Sequence, residues 1–342
     1  MAYSTIDKPS KYFTAKLYTG TGSAQSITGL EFSPDFVWIK DRTSANNHRL
    51  LDIIRGSTKE LYSSTDDSET TQAQSLTAFN SDGFSIGNLA QINTSSNNYV
   101  SWCWDANGAG VSNTSGTISS TVSANTTSGF SIVSYTGNAT LSQTIGHGLG
   151  VAPRMIIFKT RSGLSDWGVY HESMTNTKRI LLNLTNASGN FTWGGSPTSS
   201  VFYVNNDGLV NGSGSTYIAY CFAEVKGYSK FSSYTGNGNA DGTFIYTGFK
   251  PAFVLLKSSS SVENWHIFDD ARNTFNPADK DLRPNLANAE TTSSVSNIDF
   301  LSNGFKLRNS DADYNSSGTT YIGFAVAEQP FVSSKGIVAN AR

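Results

Sequence analysis

The sequence predicts an all-β chain of three tandem antiparallel β-sandwich repeats, jelly-roll-like and each about 100 residues long. Three observations point there. The triplet Tyr-Thr-Gly opens a copy at Tyr18–Gly20, Tyr135–Gly137 and Tyr234–Gly236. Each copy is followed by a proline-led apolar run ending in lysine: "PDFVWIK" from Pro34, "PRMIIFK" from Pro153 and "PAFVLLK" from Pro251. Each copy also ends in a strand of period two: "YVSWCW" from Tyr99, "YIAYCFAE" from Tyr217 and "YIGFAVAE" from Tyr321.

The elements of a unit follow in order. Four consecutive apolar residues behind a proline indicate a strand covered on both faces, with proline tolerated at its start because it cannot donate within a ladder. Next stand "NHRLLD" at 47–52, "DWGVYH" at 166–171 and "NWHIFD" at 264–269. The first of these has a helical reading through Leu50, Ile53, Ile54 and Leu61, but its two counterparts alternate, so a strand is expected. An Asn/Asp-Gly turn is then expected in "FNSDGF" at 79–84, "VNNDGL" at 204–209 and "FLSNGF" at 300–305, because glycine after Asn or Asp suits a hairpin's positive φ. In the closing strand one face carries Val100, Trp102 and Trp104, or Ile218, Tyr220 and Phe222, or Ile322, Phe324 and Val326. That face is assigned to the core. The other face is small (Ser101 and Cys103, Ala219 and Cys221, Gly323 and Ala325), which suits close approach by a neighbouring strand, loop or subunit.

These landmarks divide the chain into an N-terminal arm (1–11), a first repeat (12–105), a Ser/Thr/Gly-rich linker or extended connecting strand (106–128), a second repeat (129–226), a third repeat (227–329) and a C-terminal tail (330–342). The link "EVKGYSKF" is short, so the second and third repeats are expected to dock. Cys103 and Cys221 occupy equivalent positions in different repeats, too far apart for the Cα separation of about 4.4–6.8 Å that a disulfide needs. They are expected as small buried hydrophobes.

Charge narrows function. Of 342 residues only 15% are charged, 24 basic and 26 acidic, for a net −2. No basic patch recommends nucleic acid or an anionic membrane as partner. No segment nears the roughly 18 apolar residues of a membrane span, and the start has no secretory apolar stretch, so synthesis in a cytoplasm without membrane insertion is expected. The four histidines (48, 147, 171, 266) form no recurring nucleophile–base–orienter set, since His171 stands where the other copies have Asp52 and Asp269. No enzyme, catalytic residue, cofactor or metal is therefore expected.

Four residues remain as ligand-binding candidates. Trp193 in "NFTWGGSPTSS" and Tyr314 in "SDADYNSSG" are aromatics in polar loops, the usual platform for a sugar ring, with folding back over the core as the other reading. Asp311 and Asp313 stand at calcium-loop spacing, but Ser316 replaces the loop glycine and Ile322 the closing carboxylate. Asp52 with Arg55, and Asp269 with Arg272, read as ion pairs fixing a turn rather than as a ligand clamp.

The start "MAYSTIDKPSKYFTAKLYTGTGSAQSITG", the middle "GFSIVSYTGN" with "IGHGLGVAPRMIIFKTRSG", and the end "FVSSKGIVANAR" resemble a family of repeated-domain virion proteins of tailed, often marine, bacteriophages. The likeness covers essentially the whole chain. It implies a tail-fibre or appendage-like structural protein of the virion, with host attachment through cell-surface glycan or, alternatively, capsid decoration or tail scaffolding. It also implies other virion proteins as partners and a homo-oligomer, a trimer above all. It carries no catalytic signature to transfer.

Overall fold

The computed structural model describes residues 4–340. The first three residues of the expected arm and the last two of the expected tail lie outside the described residues. The chain is an all-β sandwich fold in which one strand order occurs three times. An opening strand (Phe13–Thr19, Phe130–Thr136 or Ser229–Thr235) pairs antiparallel with a closing strand (Asn98–Trp104, Thr216–Phe222 or Thr320–Pro330). The closing strand pairs with the proline-led core strand (Phe36–Asp41, Met155–Thr160 or Phe249–Ser258). That strand pairs in turn with a fourth (Arg49–Asp52, Gly168–His171 or Trp265–Asp269). A smaller antiparallel sheet lies over each large one, built on Gln25–Thr28, Gln143–Gly146 or Phe244–Tyr246.

Each large sheet buries both faces, and this explains the two faces of its closing strand. The small face, with Cys103, or Ala219 and Cys221, or Ala325, meets the overlying small sheet in a core private to that unit. Both cysteines are free and buried there. The large face does not look into a sandwich of its own. Val100, Trp102, Trp104, Ile218, Tyr220, Phe222, Ile322, Phe324 and Val326 all join one central core shared by the three units. Ring contacts close the circle: Phe36 on Tyr220 at 4.4 Å, Phe222 on Phe324 at 5.0 Å, and Trp104 on Phe253 at 5.7 Å. The first unit thus touches the third as well as the second.

Polar contacts repeat around the same circle. Lys40, Lys159 and Lys257, the lysines closing the core strands, are fully buried and donate to carbonyls of the neighbouring unit: Ala287 at 3.1 Å, Asp66 at 3.1 Å and Thr185 at 3.2 Å. Burial lowers each ammonium to about 8. The Trp167 and Trp265 indoles donate to the Tyr62 and Leu181 carbonyls, both at 2.8 Å. His48 holds the corresponding place in the first unit. Its Nδ1 accepts from Trp38 at 3.0 Å, and burial holds the imidazole well below its usual value, so the ring is neutral. Asp52 accepts from Tyr220 of the second unit at 2.8 Å, His171 faces the Gly323 carbonyl of the third at 3.4 Å, and Asp269 accepts from Trp102 of the first at 2.9 Å.

The Tyr-Thr-Gly triplet ends each opening strand in a buried hydrogen-bonded corner. Tyr18, Tyr135 and Tyr234 stack on Tyr99, Tyr217 and Tyr321 at 4.9, 5.1 and 5.1 Å. After the glycine, the amide of Thr21, Asn138 or Asn237 donates to a buried Asn93, Asn211 or Asn315 on a one-turn helix. Glycine is required by close approach: a Cβ on Gly20, Gly137 or Gly236 would lie 2.1, 2.4 or 2.3 Å from a carbonyl oxygen of the facing turn. The stretch "VNNDGL" corrects the sequence expectation. Asp207 caps the helix Gly208–Asn211 by accepting from the Leu209 amide, so this is a helix start, unlike the true hairpin turns at Asn80–Gly83 and Leu301–Gly304.

Residues 106–128 are also more than a linker. Val111–Asn113 and Ser120–Asn125 pair with each other, and the latter pairs with the opening strand Phe130–Thr136, widening the second large sheet. Arm and tail meet where the Ser334 amide donates to Asp7 at 2.7 Å, and Ile6 enters the shared core.

At the end of that core a narrow cavity of about 10 Å³ is bounded by Trp104, Ser128 and Tyr228, among others. The Trp104 indole, Ser128 hydroxyl and Tyr228 hydroxyl have no hydrogen-bond partner among the described residues. Tyr228→Phe is therefore expected to leave the melting temperature unchanged or higher. Tyr217→Phe, which strips a hydroxyl bonded to Gly212 N (2.6 Å) and Gly208 O (2.7 Å), is expected to cost about 1–3 kcal/mol in the same thermal-unfolding measurement.

Candidate functional site

The four residues singled out from sequence are not an exposed sugar platform. Trp193 is 1% exposed, stacked on Phe158 at 5.1 Å and against Phe191 at 4.6 Å, with its indole donating to the Lys178 carbonyl at 2.7 Å. Tyr314 is 0% exposed and donates its hydroxyl to the Val295 carbonyl at 2.7 Å. Their polar sequence neighbours form turns while the rings complete private cores. Asp311 accepts from the Asp313 amide at 2.8 Å and caps the short helix that carries Tyr314. Asp313 turns the other way, to His266 at 2.8 Å. The two carboxylates thus serve different partners rather than one cation.

His266 is the centre of a buried charged network. Its Nδ1 meets Asp281 at 2.8 Å and its Nε2 meets Asp313 at 2.8 Å. Arg283 braces Asp281 at 2.9 Å. Burial opposes charge on the ring, but the two carboxylates outweigh it and raise the imidazole to about 9. Glu263, partly desolvated and sharing a hydrogen bond with Asp313, is pushed up to about 7. With both nitrogens donating, this imidazolium has no lone pair for a base to use. The network is built to hold the third unit together.

Asp52–Arg55 and Asp269–Arg272 are fully buried ion pairs, each aspartate also accepting the amide three residues on, at 2.9 and 2.8 Å. The turn-fixing reading fits this geometry, since no side-chain atom of these four is open to a ligand.

What the third unit does expose is the outer face of its small sheet. Strands Phe244–Tyr246, Gly304–Leu307 and Ile298–Leu301 pair so that Phe244 faces Lys306 and Asp299, while Tyr246 faces Gly304 and Leu301. Ile245, Phe305, Phe300 and Leu307 point inward and are buried, which leaves Phe244 43% and Tyr246 54% exposed. The Phe244 ring extends over Gly304, where an added Cβ would lie 2.9 Å from it. Lys306 pairs with Asp241, and Arg308 with Asp299 at 3.3 Å. An open groove of about 430 Å³ adjoins this face, walled by Asn276, Pro277, Asn297, Asp299 and Arg308. Phe275, 79% exposed, precedes it in the chain.

The corresponding pairs in the other small sheets are Ser26 with Ser85 and Thr28 with Gly83, or Thr144 with Tyr203 and Gly146 with Val201. Positions held by Phe244 and Tyr246 are thus Ser and Thr in the first unit, Thr and Gly in the second. Sequence reasoning passed over both rings because it sought aromatics in loops. The alternation Phe244-Ile245-Tyr246, set beside Ser26-Ile27-Thr28 and Thr144-Ile145-Gly146, is the signal that marks them.

A family described as a domain of unknown function (DUF7483) matches residues 8–330, a span that takes in the large and small sheets of all three units. No curated protein and no solved structure matches the chain. By that match the chain belongs to the DUF7483 family.

Proposed function

We propose that this member of the family is a non-enzymatic bacteriophage virion protein, tail-fibre or appendage-like, that attaches the particle to glycan on the host surface. The observation carrying the attachment role is the exposed pair Phe244 and Tyr246 on the outer sheet of one unit, where the other two units present Ser, Thr or Gly. A part-exposed aromatic pair on an otherwise hydroxyl-rich protein suits a ligand with apolar ring faces and polar edges. The phage assignment rests on the resemblance of both ends and the middle of the chain to virion proteins. Its partners are then other virion proteins and further copies of itself, with a trimer as the expected assembly.

A second reading, capsid decoration or tail scaffolding, is favoured by the tail, where Ile337 and Val338 expose 67% and 58% of their surface. Immuno-electron microscopy of the particle separates the two. Label confined to tail or appendage, with adsorption to host cells blocked by the purified chain, is the expected result. Uniform label over the capsid establishes the second reading instead, and unlabelled particles exclude both.

A further inference from the structure

We propose that the outer sheet of the third unit is the binding site of a neutral saccharide, seated on Phe244 and Tyr246 with its hydroxyls reaching the Arg308–Asp299 pair. This rests on the attachment reading above and names the ligand class and the place.

The occupant follows from what the face offers. Phe244 and Tyr246 lie two residues apart on one strand, so both side chains leave the same side of the sheet, their Cα atoms about 7 Å apart. Two aromatic side chains on one face offer an apolar platform to the apolar faces of sugar rings. Gly304 keeps the strand beside them bare, so the Phe244 ring lies flat over the sheet.

Charge selects the kind of sugar. The cations of the face, Lys306 and Arg308, each have a carboxylate partner, Asp241 and Asp299. Among the described residues the patch therefore carries no net charge, and an acidic sugar would meet as many carboxylates as cations. A neutral one loses nothing, and a guanidinium beside a carboxylate can donate to one hydroxyl and accept from the next. The groove beyond Asp299 and Arg308, about 430 Å³, leaves room for a chain to continue past the two rings.

The test uses the full chain against immobilised dextran and laminarin as neutral probes and alginate as the acidic one, with affinities measured at low and high salt. Binding to a neutral probe is expected, little changed by salt, and weakened at least tenfold by Phe244→Ala or Tyr246→Ala. Ser26→Ala, the matching position of the first unit, is expected to bind as wild type. All three positions are solvent-facing, so unchanged melting temperatures show that the variants fold. The proposal is overturned by salt-sensitive preference for alginate, by undiminished binding of the two aromatic variants, or by retention on no probe. It is also overturned if sedimentation shows copies associating through this face and the aromatic variants separating them. Host-cell adsorption run in parallel distinguishes the two readings. Neutral-probe binding lost in the variants while adsorption is unaffected refutes attachment through this site but not the site; adsorption without saccharide binding refutes the site alone.

Discussion

Asp269→Ala is expected to destabilise the protein by about 3–5 kcal/mol, read as a fall in the denaturant midpoint. Asp269 accepts from the Arg272 amide at 2.8 Å, from Arg272 Nε at 2.6 Å and from the Trp102 indole at 2.9 Å. Its removal leaves a guanidinium with no solvent exposure, still bonded to the Ile267 and Lys280 carbonyls and, among the described residues, with Glu290 as its remaining counter-charge. Asp269→Ala combined with Arg272→Met is expected to recover part of the loss, because it removes the buried charge as well. By contrast Glu172→Ala, which breaks a pair whose Arg154 is half exposed, should cost less than about 1 kcal/mol. Trp102 belongs to the first unit and Asp269 to the third, so the damage crosses the ring. Far-ultraviolet circular dichroism and tryptophan fluorescence are expected to report one coincident transition in the wild type. Separate transitions for separate units would refute a shared core.

What the sequence made legible was local. Period two in "YVSWCW" placed Trp102 and Trp104 on an inward face, the proline-led runs marked strands buried on both sides, and equivalent cysteine positions excluded a bridge; the strands and free thiols are as expected. The partner of a buried face is not written in its alternation. Val100, Trp102 and Trp104 would read the same in a closed sandwich as in a core shared by three units. The Asp52–Arg55 and Asp269–Arg272 recurrence was visible, but not that Tyr220 and Trp102 reach across to them from other units. At Trp193 and Tyr314 the reading of a loop aromatic folded back over the core holds, because their polar neighbours bend the chain while the rings turn inward. Composition misled at "VNNDGL", where the residues that favour a hairpin turn equally favour a helix cap.

Substituting His266 by glutamine is expected to produce a stability deficit that shrinks by about 3 kcal/mol between pH 6 and pH 10. The imidazole, raised from the usual 6.5 to about 9 by Asp281 and Asp313 against the opposing effect of burial, binds its proton more tightly folded than unfolded. Its contribution is therefore complete below pH 6.5 and disappears as pH rises through about 9. At about 1.4 kcal/mol per unit, the gap between those values sets the magnitude. Wild-type stability alone would obscure the effect. Lys40, Lys159 and Lys257 are lowered to about 8, so the folded ring disfavours their charge and gains stability as pH rises from about 8 toward 10.5. Glu263, raised to about 7, acts in the other direction between its usual range and neutrality, while Asp313 is held well below the carboxylate range, and Arg283 stays charged throughout. Subtracting the variant's profile from the wild type's removes the lysine contribution, which both proteins share. A deficit constant from pH 6 to 10 would mean that His266 is neutral and only hydrogen-bonded; one that closes near pH 9 identifies it as the buried cation on which Asp281 and Asp313 converge.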